Sequence, residues 1–248
     1  MSRQYDEKFM GYAAVSSRYA ASRIIPLLRG SLDIESVVDI GCAGGAWLRV
    51  WQDRGIAQIR GVDGEYVRTE DLEIAPELFS PADLSRPLDL GRSFDLVQTL
   101  EVAEHIQESF ADQFVLNLVK HAAKYVLFSA AVPGQGGEYH VNEQPYEFWR
   151  KRLAGHGFDP YDFVRPKIAS DPRISFWYRY NCLLYVRSEH HAELRPEVRQ
   201  SRVPDGAAIP DFSSPLFKLR KSIVKALSPA TRDRLARLKA RIAPTGRF

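Results

Sequence analysis

The chemistry legible in this 248-residue chain sits in a glycine-rich turn and in acids and histidines placed downstream of it. Val37-Val38-Asp39-Ile40-Gly41-Cys42-Ala43-Gly44-Gly45 runs from an apolar, β-branched strand into a turn where glycines let the backbone approach a ligand. The following Ala46-Trp47-Leu48-Arg49-Val50-Trp51 has helical spacing of large apolar residues, so a helix N-terminus faces whatever the turn holds. Asp39 is the single charge in the strand. Gln58-Ile59-Arg60-Gly61-Val62-Asp63 ends in a second acid 24 positions later, where a βαβ unit sets a carboxylate to accept hydrogen bonds from ribose hydroxyls. Glycines also punctuate ordinary βα loops, and it is the pairing of turn and acid that points to a nucleoside-type ligand.

Three later stretches carry further reactive groups. Leu78–Leu84 is a short apolar run ending at Asp83-Leu84, an acid that either meets a ligand or caps its own turn. Phe94–Leu100 is a buried strand leading into Glu101-Val102-Ala103-Glu104-His105, and a histidine there is suited to general-base work because its ordinary pKa is near neutrality. Glu138–Trp149 is the most polar and aromatic cluster of the chain. There His140 is a candidate base, with Glu143 or Gln144 gripping neighbouring hydroxyls; the competing reading is a helix start with Asn142 as cap and Pro145 in the first turn.

The turn Asp39-Ile40-Gly41-Cys42-Ala43-Gly44-Gly45 resembles the Asp/Glu-x-Gly-x-Gly-x-Gly pattern of class I S-adenosylmethionine-dependent methyltransferases more than a dinucleotide fingerprint. It departs at Ala43, which replaces the middle glycine and fits if its φ is negative. The His140–Pro145 segment is similar to members associated with glycan and small-metabolite biosynthesis. The resemblance covers residues 1 to about 188. It implies an α/β, Rossmann-like, seven-stranded and mostly parallel sheet in the order 3-2-1-4-5-7-6, the last strand antiparallel, flanked by helices. It implies S-adenosyl-L-methionine as cofactor, with Asp39, Gly41, Cys42, Ala43 and Gly45 around its amino-acid end, Asp63 on the ribose, Asp83 and Leu84 at the adenine and Glu101 beneath the methionine part. His140 is the first choice for the base and His105 the second, with Glu143, Gln144 and Tyr146 on the acceptor. The implied reaction is O-methylation of a small molecule or saccharide precursor. The family's Asn/Asp-Pro-Pro-Tyr signature for methylating amino groups of bases is absent.

Two other readings stay open. Glu101, Glu104 and His105, with His140 as a fourth ligand, can converge on a divalent metal, and a similar Glu-x-x-Glu-His occurs in small-RNA 3′-terminal and quinone-precursor O-methyltransferases. Here Ile106-Gln107-Glu108 follows where the RNA enzymes carry a further histidine, and the expectation is no metal. In the bland alternative Glu104 caps a helix and His105 packs under the loop. The remaining reading is a non-catalytic cofactor-binding scaffold with a docking tail.

The elements that position these residues follow from periodicity. A helix is expected over 8–29, interrupted at Pro26, with Tyr5 or Tyr12 closing the site or packing on the sheet. Another is expected over 108–123, a fifth strand over 125–131, and last strands at 161–165 and 182–186. Residues 189–214 read as a linker, and 215–248 as a basic amphipathic tail of two short helices with stripes Leu216, Leu219, Ile223, Leu227 and Leu235, Leu238, Ile242. Residues 216–248 hold ten Lys or Arg against Asp233, so that segment carries +9 and the rest, by difference from the overall +3, carries −6. An acidic body does not advertise a nucleic-acid groove; the tail suits an anionic membrane surface or a protein partner, or packs back on the body. With 45% hydrophobic and 26% charged residues, no apolar run of ~20 residues and no secretion-signal core, the expected address is cytoplasmic, with peripheral contact at the inner membrane surface through the tail. Two cysteines, one of them in the turn, argue against a disulfide.

Overall fold

The structure is a computed structural model that describes residues 7–225 and 231, with side chains from 16 to 224 and at 231. Tyr5, the Tyr12 side chain and the second tail stripe lie outside the described residues. In chain order the elements are α1 (Glu7–Ser31), β1 (Ser36–Ile40), α2 (Ala46–Asp53), β2 (Gln58–Asp63), β3 (Phe79–Pro81), β4 (Phe94–Leu100), α3 (Ala111–His121), β5 (Ala122–Ser129), α4 (Tyr146–Ala154), β6 (Phe158–Tyr161), α5 (Arg165–Ile168), α6 (Phe176–Asn181), β7 (Leu183–Arg187), α7 (Pro196–Arg199) and α8 (Pro215–Lys225).

Val37, Val38 and Ile40 are fully buried because β1 is central in the sheet, with β2 on one side and β4 on the other, both parallel to it. The sheet order is β3-β2-β1-β4-β5-β7-β6, and β7 runs antiparallel to both β5 and β6, as expected. One face packs on α1 and α2 through Ile24, Leu28, Trp47 and Trp51, the other on α3 and α4 through Phe114, Leu118, Trp149 and Leu153. Covering on both faces is what makes the central strands continuous apolar runs.

Four local expectations are revised. Helix α1 continues through Pro26 to Ser31, since the buried stripe Ala20, Ala21, Ile24, Ile25 and Leu28 holds it against the sheet on either side of the proline. The α4 N-cap is Pro145 rather than Asn142; the Asn142 amide donates to the Glu104 carbonyl at 3.0 Å and its Oδ1 accepts from Gln144. Strand β6 starts at Phe158, before the expected stretch. The segment read as a linker packs on the sheet edge: Val203 donates to the Pro160 carbonyl at 2.9 Å, and Val198, Val203 and Ile209 are buried.

Two arginines pin that segment. Arg165 is fully buried, paired bidentately with Asp162 at 2.7 and 2.8 Å, and its remaining nitrogen donates to the Tyr180 and Pro210 carbonyls. Arg150 donates to the Pro204 carbonyl at 2.7 Å and also to Ala207. These cations satisfy backbone acceptors that a coil lying on a sheet cannot pair internally. No helix among the described residues is long and apolar enough to cross a membrane.

Candidate active site

The site gathers at the carboxyl ends of β1, β2, β4 and β5, the edge where open parallel sheets receive ligands. Gly41 and Cys42 both donate their amides to the Val62 carbonyl, at 2.7 and 3.2 Å, and Gly45 donates to Cys42 at 2.8 Å, which folds the turn after β1. A Cβ on Gly44 would lie 2.6 Å from the Asp71 carbonyl oxygen, so this position admits no side chain. Ala43 has φ 47°, in the left-handed region rather than at the negative φ expected of it. That conformation costs an alanine about 1–2 kcal/mol, and the Ala43 amide donates to Asp63 Oδ2 at 2.7 Å in return. The Cys42 thiol faces inward, 2.8 Å from where a Gly61 Cβ would stand; burial and then the Asp39 and Asp63 charges push its pKa well up, so it packs rather than reacts.

Asp39 is buried and Gln98 Nε2 donates to its Oδ2 at 2.7 Å, while Trp51 Nε1 donates to Gln98 Oε1 at 2.8 Å. Asp39 Oδ1 has no hydrogen-bond partner among the described residues. Burial raises the Asp39 carboxyl to about 7, against the lowering bond from Gln98, with the Asp63 charge adding to the rise. Asp63 is buried too: Oδ1 accepts from the Gly64 amide at 2.7 Å and from the Tyr66 hydroxyl. Burial outweighs those bonds and raises its pKa. Asp83, by contrast, is exposed and caps its own turn through the Ser85 amide and hydroxyl at 3.0 and 2.6 Å, while the Leu84 side chain is buried below it.

After β4 the chain turns at Glu101, whose φ is 57°, with its amide donating to the Ser129 carbonyl at 2.9 Å. Glu101 Oε2 accepts from Gln135 Nε2 at 2.9 Å and Oε1 from Asn181 Nδ2 at 3.2 Å, and burial raises its carboxyl. Glu104 is fully buried and neither carboxyl oxygen has a hydrogen-bond partner among the described residues; burial first, and then the Glu101 charge, push its pKa well above the ordinary value. A carboxyl in that condition either holds its proton or awaits a cation.

His140 and His105 meet edge to face at 5.0 Å beside Glu104. His140 Nδ1 lies 3.0 Å from Glu143 Oε1, and its Nε2 is 4.0 Å from Glu104 Oε1. Glu143 also accepts from the Gly134 and Gly136 amides at 2.8 and 2.6 Å. Burial pushes the Glu143 carboxyl up, but His140 and these amides outweigh it and hold the pKa below the ordinary value. The carboxylate therefore accepts a hydrogen bond from Nδ1–H, which in the neutral tautomer leaves Nε2 with the lone pair. His105 Nδ1 stands 3.2 Å from the Tyr139 carbonyl. One ligand atom each from Glu104, His105 and His140 lies within 4.8 Å of the other two. Glu101 is turned instead to Gln135 and Asn181.

The other acceptor candidates are engaged locally. Gln144 donates to Asn142 Oδ1 at 2.9 Å, and the Tyr146 hydroxyl to the Tyr180 carbonyl at 2.8 Å. Sequence reasoning passed over Gln98, Tyr66, Gln135 and Asn181. Gln98 had a signal, a lone amide inside the apolar strand Leu96–Leu100; the other three reach the site from loops and α6 with none.

No protein-family model matches the chain, and no curated protein matches it. Among solved structures, the magnesium protoporphyrin IX methyltransferase of Synechocystis PCC 6803 superposes with a TM-score of 0.52 with S-adenosylmethionine bound and 0.54 with S-adenosylhomocysteine bound. It is 21% identical, and the first of these matches covers 76% of this chain and 87% of that one. The chain has the class I methyltransferase fold. A sugar N-methyltransferase of Streptoalloteichus sp ATCC 53650 matches at 17% identity over 75% of this chain and 94% of that one, TM-score 0.53. An amino pentose methyltransferase of Micromonospora echinaspora, involved in calicheamicin biosynthesis and solved with S-adenosylmethionine, matches at 14% over 75% and 99%, TM-score 0.51. The turn after β1 suits the cofactor that the protoporphyrin and amino pentose enzymes hold: beside it Asp39 presents a buried oxygen without a partner among the described residues.

Proposed function

We propose that the chain is an S-adenosylmethionine-dependent methyltransferase acting on a hydroxyl oxygen of a small molecule or saccharide precursor. The observation that carries this reading is the His140–Glu143 pair standing on the same sheet edge as the glycine turn. The solved structures with methyl donor or product bound support the cofactor, and the sugar N-methyltransferase and the amino pentose methyltransferase support a saccharide acceptor while leaving oxygen against nitrogen to the chain's own site.

The turn Gly41–Gly45 with Asp39 would hold the amino-acid end of the cofactor, Asp63 the ribose, Asp83 and Leu84 the adenine, and Glu101 the methionine side. Bound there, the cofactor supplies a methyl group made electrophilic by its sulfonium. The chain's part is to align the acceptor and manage one proton. His140 Nε2 takes the hydroxyl proton, and Glu143 holds the imidazole in the required tautomer and stabilises the imidazolium that forms. His105 is the alternative base. A neutral amine already has its lone pair available, whereas a hydroxyl must lose its proton, so a histidine backed by the half-buried Glu143 carboxylate suits oxygen as the acceptor atom.

The test is a screen of hydroxylated and amino-bearing acceptors read by S-adenosylhomocysteine release. Turnover on a hydroxyl acceptor that falls by about 10²–10⁴-fold in His140→Ala supports the reading. Turnover restricted to amines, or indifferent to the substitution, overturns it.

A second reading is favoured by Glu104. Its two unpartnered, buried oxygens beside His105 and His140 suit a divalent cation, which would hold and polarise the acceptor hydroxyl. Loss of turnover on chelation, restored by Mg²⁺ or Mn²⁺ and absent in Glu104→Gln, supports this form; chelator-insensitive turnover removes it.

A further inference from the structure

Helix α8 has two faces, and the body uses one of them. The Phe217 ring stands 4.8 Å from Phe176 and 5.4 Å from Tyr180. Arg220 donates to the Gln135 carbonyl at 2.8 Å, and Lys221 Nζ to Asp211 Oδ2 and Ser213 Oγ at 2.8 and 2.9 Å. These contacts lay α8 across the loop that carries Gln135, whose side chain donates to Glu101. The opposite face carries Leu216, Leu219 and Ile223 at i, i+3 and i+7, exposed by 80, 60 and 57%. Single exposed aliphatics are ordinary; three in one stripe of an 11-residue helix form a contact face.

The charge around the stripe says what it meets. Lys218 is exposed beside it, α8 contains no acid, and residues 216–248 carry +9 while the rest of the chain carries −6. An aliphatic stripe with Lys218 beside it, in a segment of such positive charge, suits an anionic lipid surface, where acyl chains take the one and headgroups the other. A second copy would bring the same positive charge to the contact and is disfavoured.

We propose that the outer face of α8 seats the protein on an anionic membrane, with Leu216, Leu219 and Ile223 entering the lipid interface and Lys218 meeting headgroup phosphates. The inner face of the same helix lies on the loop that supports Glu101, so docking through the outer face keeps the candidate site on the membrane-facing side of the body. Docking stands apart from methyl transfer and is read without it.

The test is co-sedimentation of the full chain with vesicles of phosphatidylcholine alone or mixed with phosphatidylglycerol. The expected result is binding to the mixed vesicles, weakened by salt, and none to phosphatidylcholine. The combined Leu216→Ser, Leu219→Ser, Ile223→Ser variant should lose about tenfold or more of that partitioning, with its near-UV circular dichroism and thermal midpoint unchanged. Lys218→Glu, which leaves the stripe intact, should lose less. The proposal is overturned if the wild type ignores the mixed vesicles, as it would with a segment of its own tail or a protein partner on the face. Equal binding by the triple variant overturns it too, as does concentration-dependent self-association that the variant abolishes.

Discussion

Asp39, Asp63, Glu101 and Glu104 place four acids along one sheet edge, and burial raises the pKa of each. Such a cluster costs stability unless something positive or hydrogen-bonding joins it, which is how a site built for a ligand differs from a core. The pH dependence follows with a definite sign. Asp39 titrates near 3.8 when unfolded and at about 7 when folded, so between those values the native state keeps a proton the unfolded chain has lost. Stability therefore falls as pH rises across that window and the loss is complete above it. Asp39→Asn removes this contribution: its urea stability should decline less than the wild type's between pH 4 and 7, by roughly 2–4 kcal/mol. Parallel curves for the two proteins would contradict the buried, half-satisfied carboxyl. At this scale the acids were legible in the sequence: Asp39 is the single charge of an apolar strand, Asp63 closes the next one, and Glu101 and Glu104 follow directly on the third. The grip on them by Gln135, Asn181 and Tyr66 was not, since a polar residue in a loop looks the same whether it faces solvent or a partner 34 positions away.

The glycine turn and the loop after β5 do different work as elements. Ala43 sits at φ 47° where the pattern has glycine, so Ala43→Gly should raise stability by about 0.5–1 kcal/mol, the left-handed strain relieved being partly offset by chain entropy. Ala43→Val should instead lower it, and chemical denaturation reads both. The second loop positions the base. A Cβ on Gly137 would stand 2.1 Å from His140 Nε2, so Gly137→Ala must displace the ring. The expected signature is a fall in kcat of at least about tenfold, the scale expected when a reacting group is misplaced, with S-adenosylhomocysteine affinity unchanged. An unchanged kcat would remove His140 from the base role. The strand–turn–helix around Gly41–Gly45 was readable because β-branched runs, glycines and helical spacing occur in order. The convergence of His140 with Glu104 and His105 was raised from the sequence as a metal-ligand set, but the path that brings it about was not, because Tyr139 and the 133–137 loop make that reversal through backbone geometry that periodicity does not record.

For the whole molecule, the sheet order came from resemblance to a known fold, since apolar periodicity locates strands without ranking their neighbours. The 189–214 stretch read as a linker because Pro, Gly and charge dominate it, yet its few apolar residues and the cations Arg150 and Arg165 bind it to the sheet edge. Arg165→Ala leaves Asp162 and two carbonyls without their donor and should destabilise the protein by about 3 kcal/mol, measured by urea denaturation; a loss within ±0.5 kcal/mol of zero would show the C-terminal stretch is held by other contacts. Calorimetric titration with S-adenosylhomocysteine decides whether a methyl donor's product binds at the glycine turn. Micromolar binding by the wild type is expected, with no heat from NAD and a loss of about 1–3 kcal/mol in Asp63→Ala, the scale of a hydrogen bond to a charged group. Absence of S-adenosylhomocysteine binding to the folded wild type would contradict the methyltransferase reading.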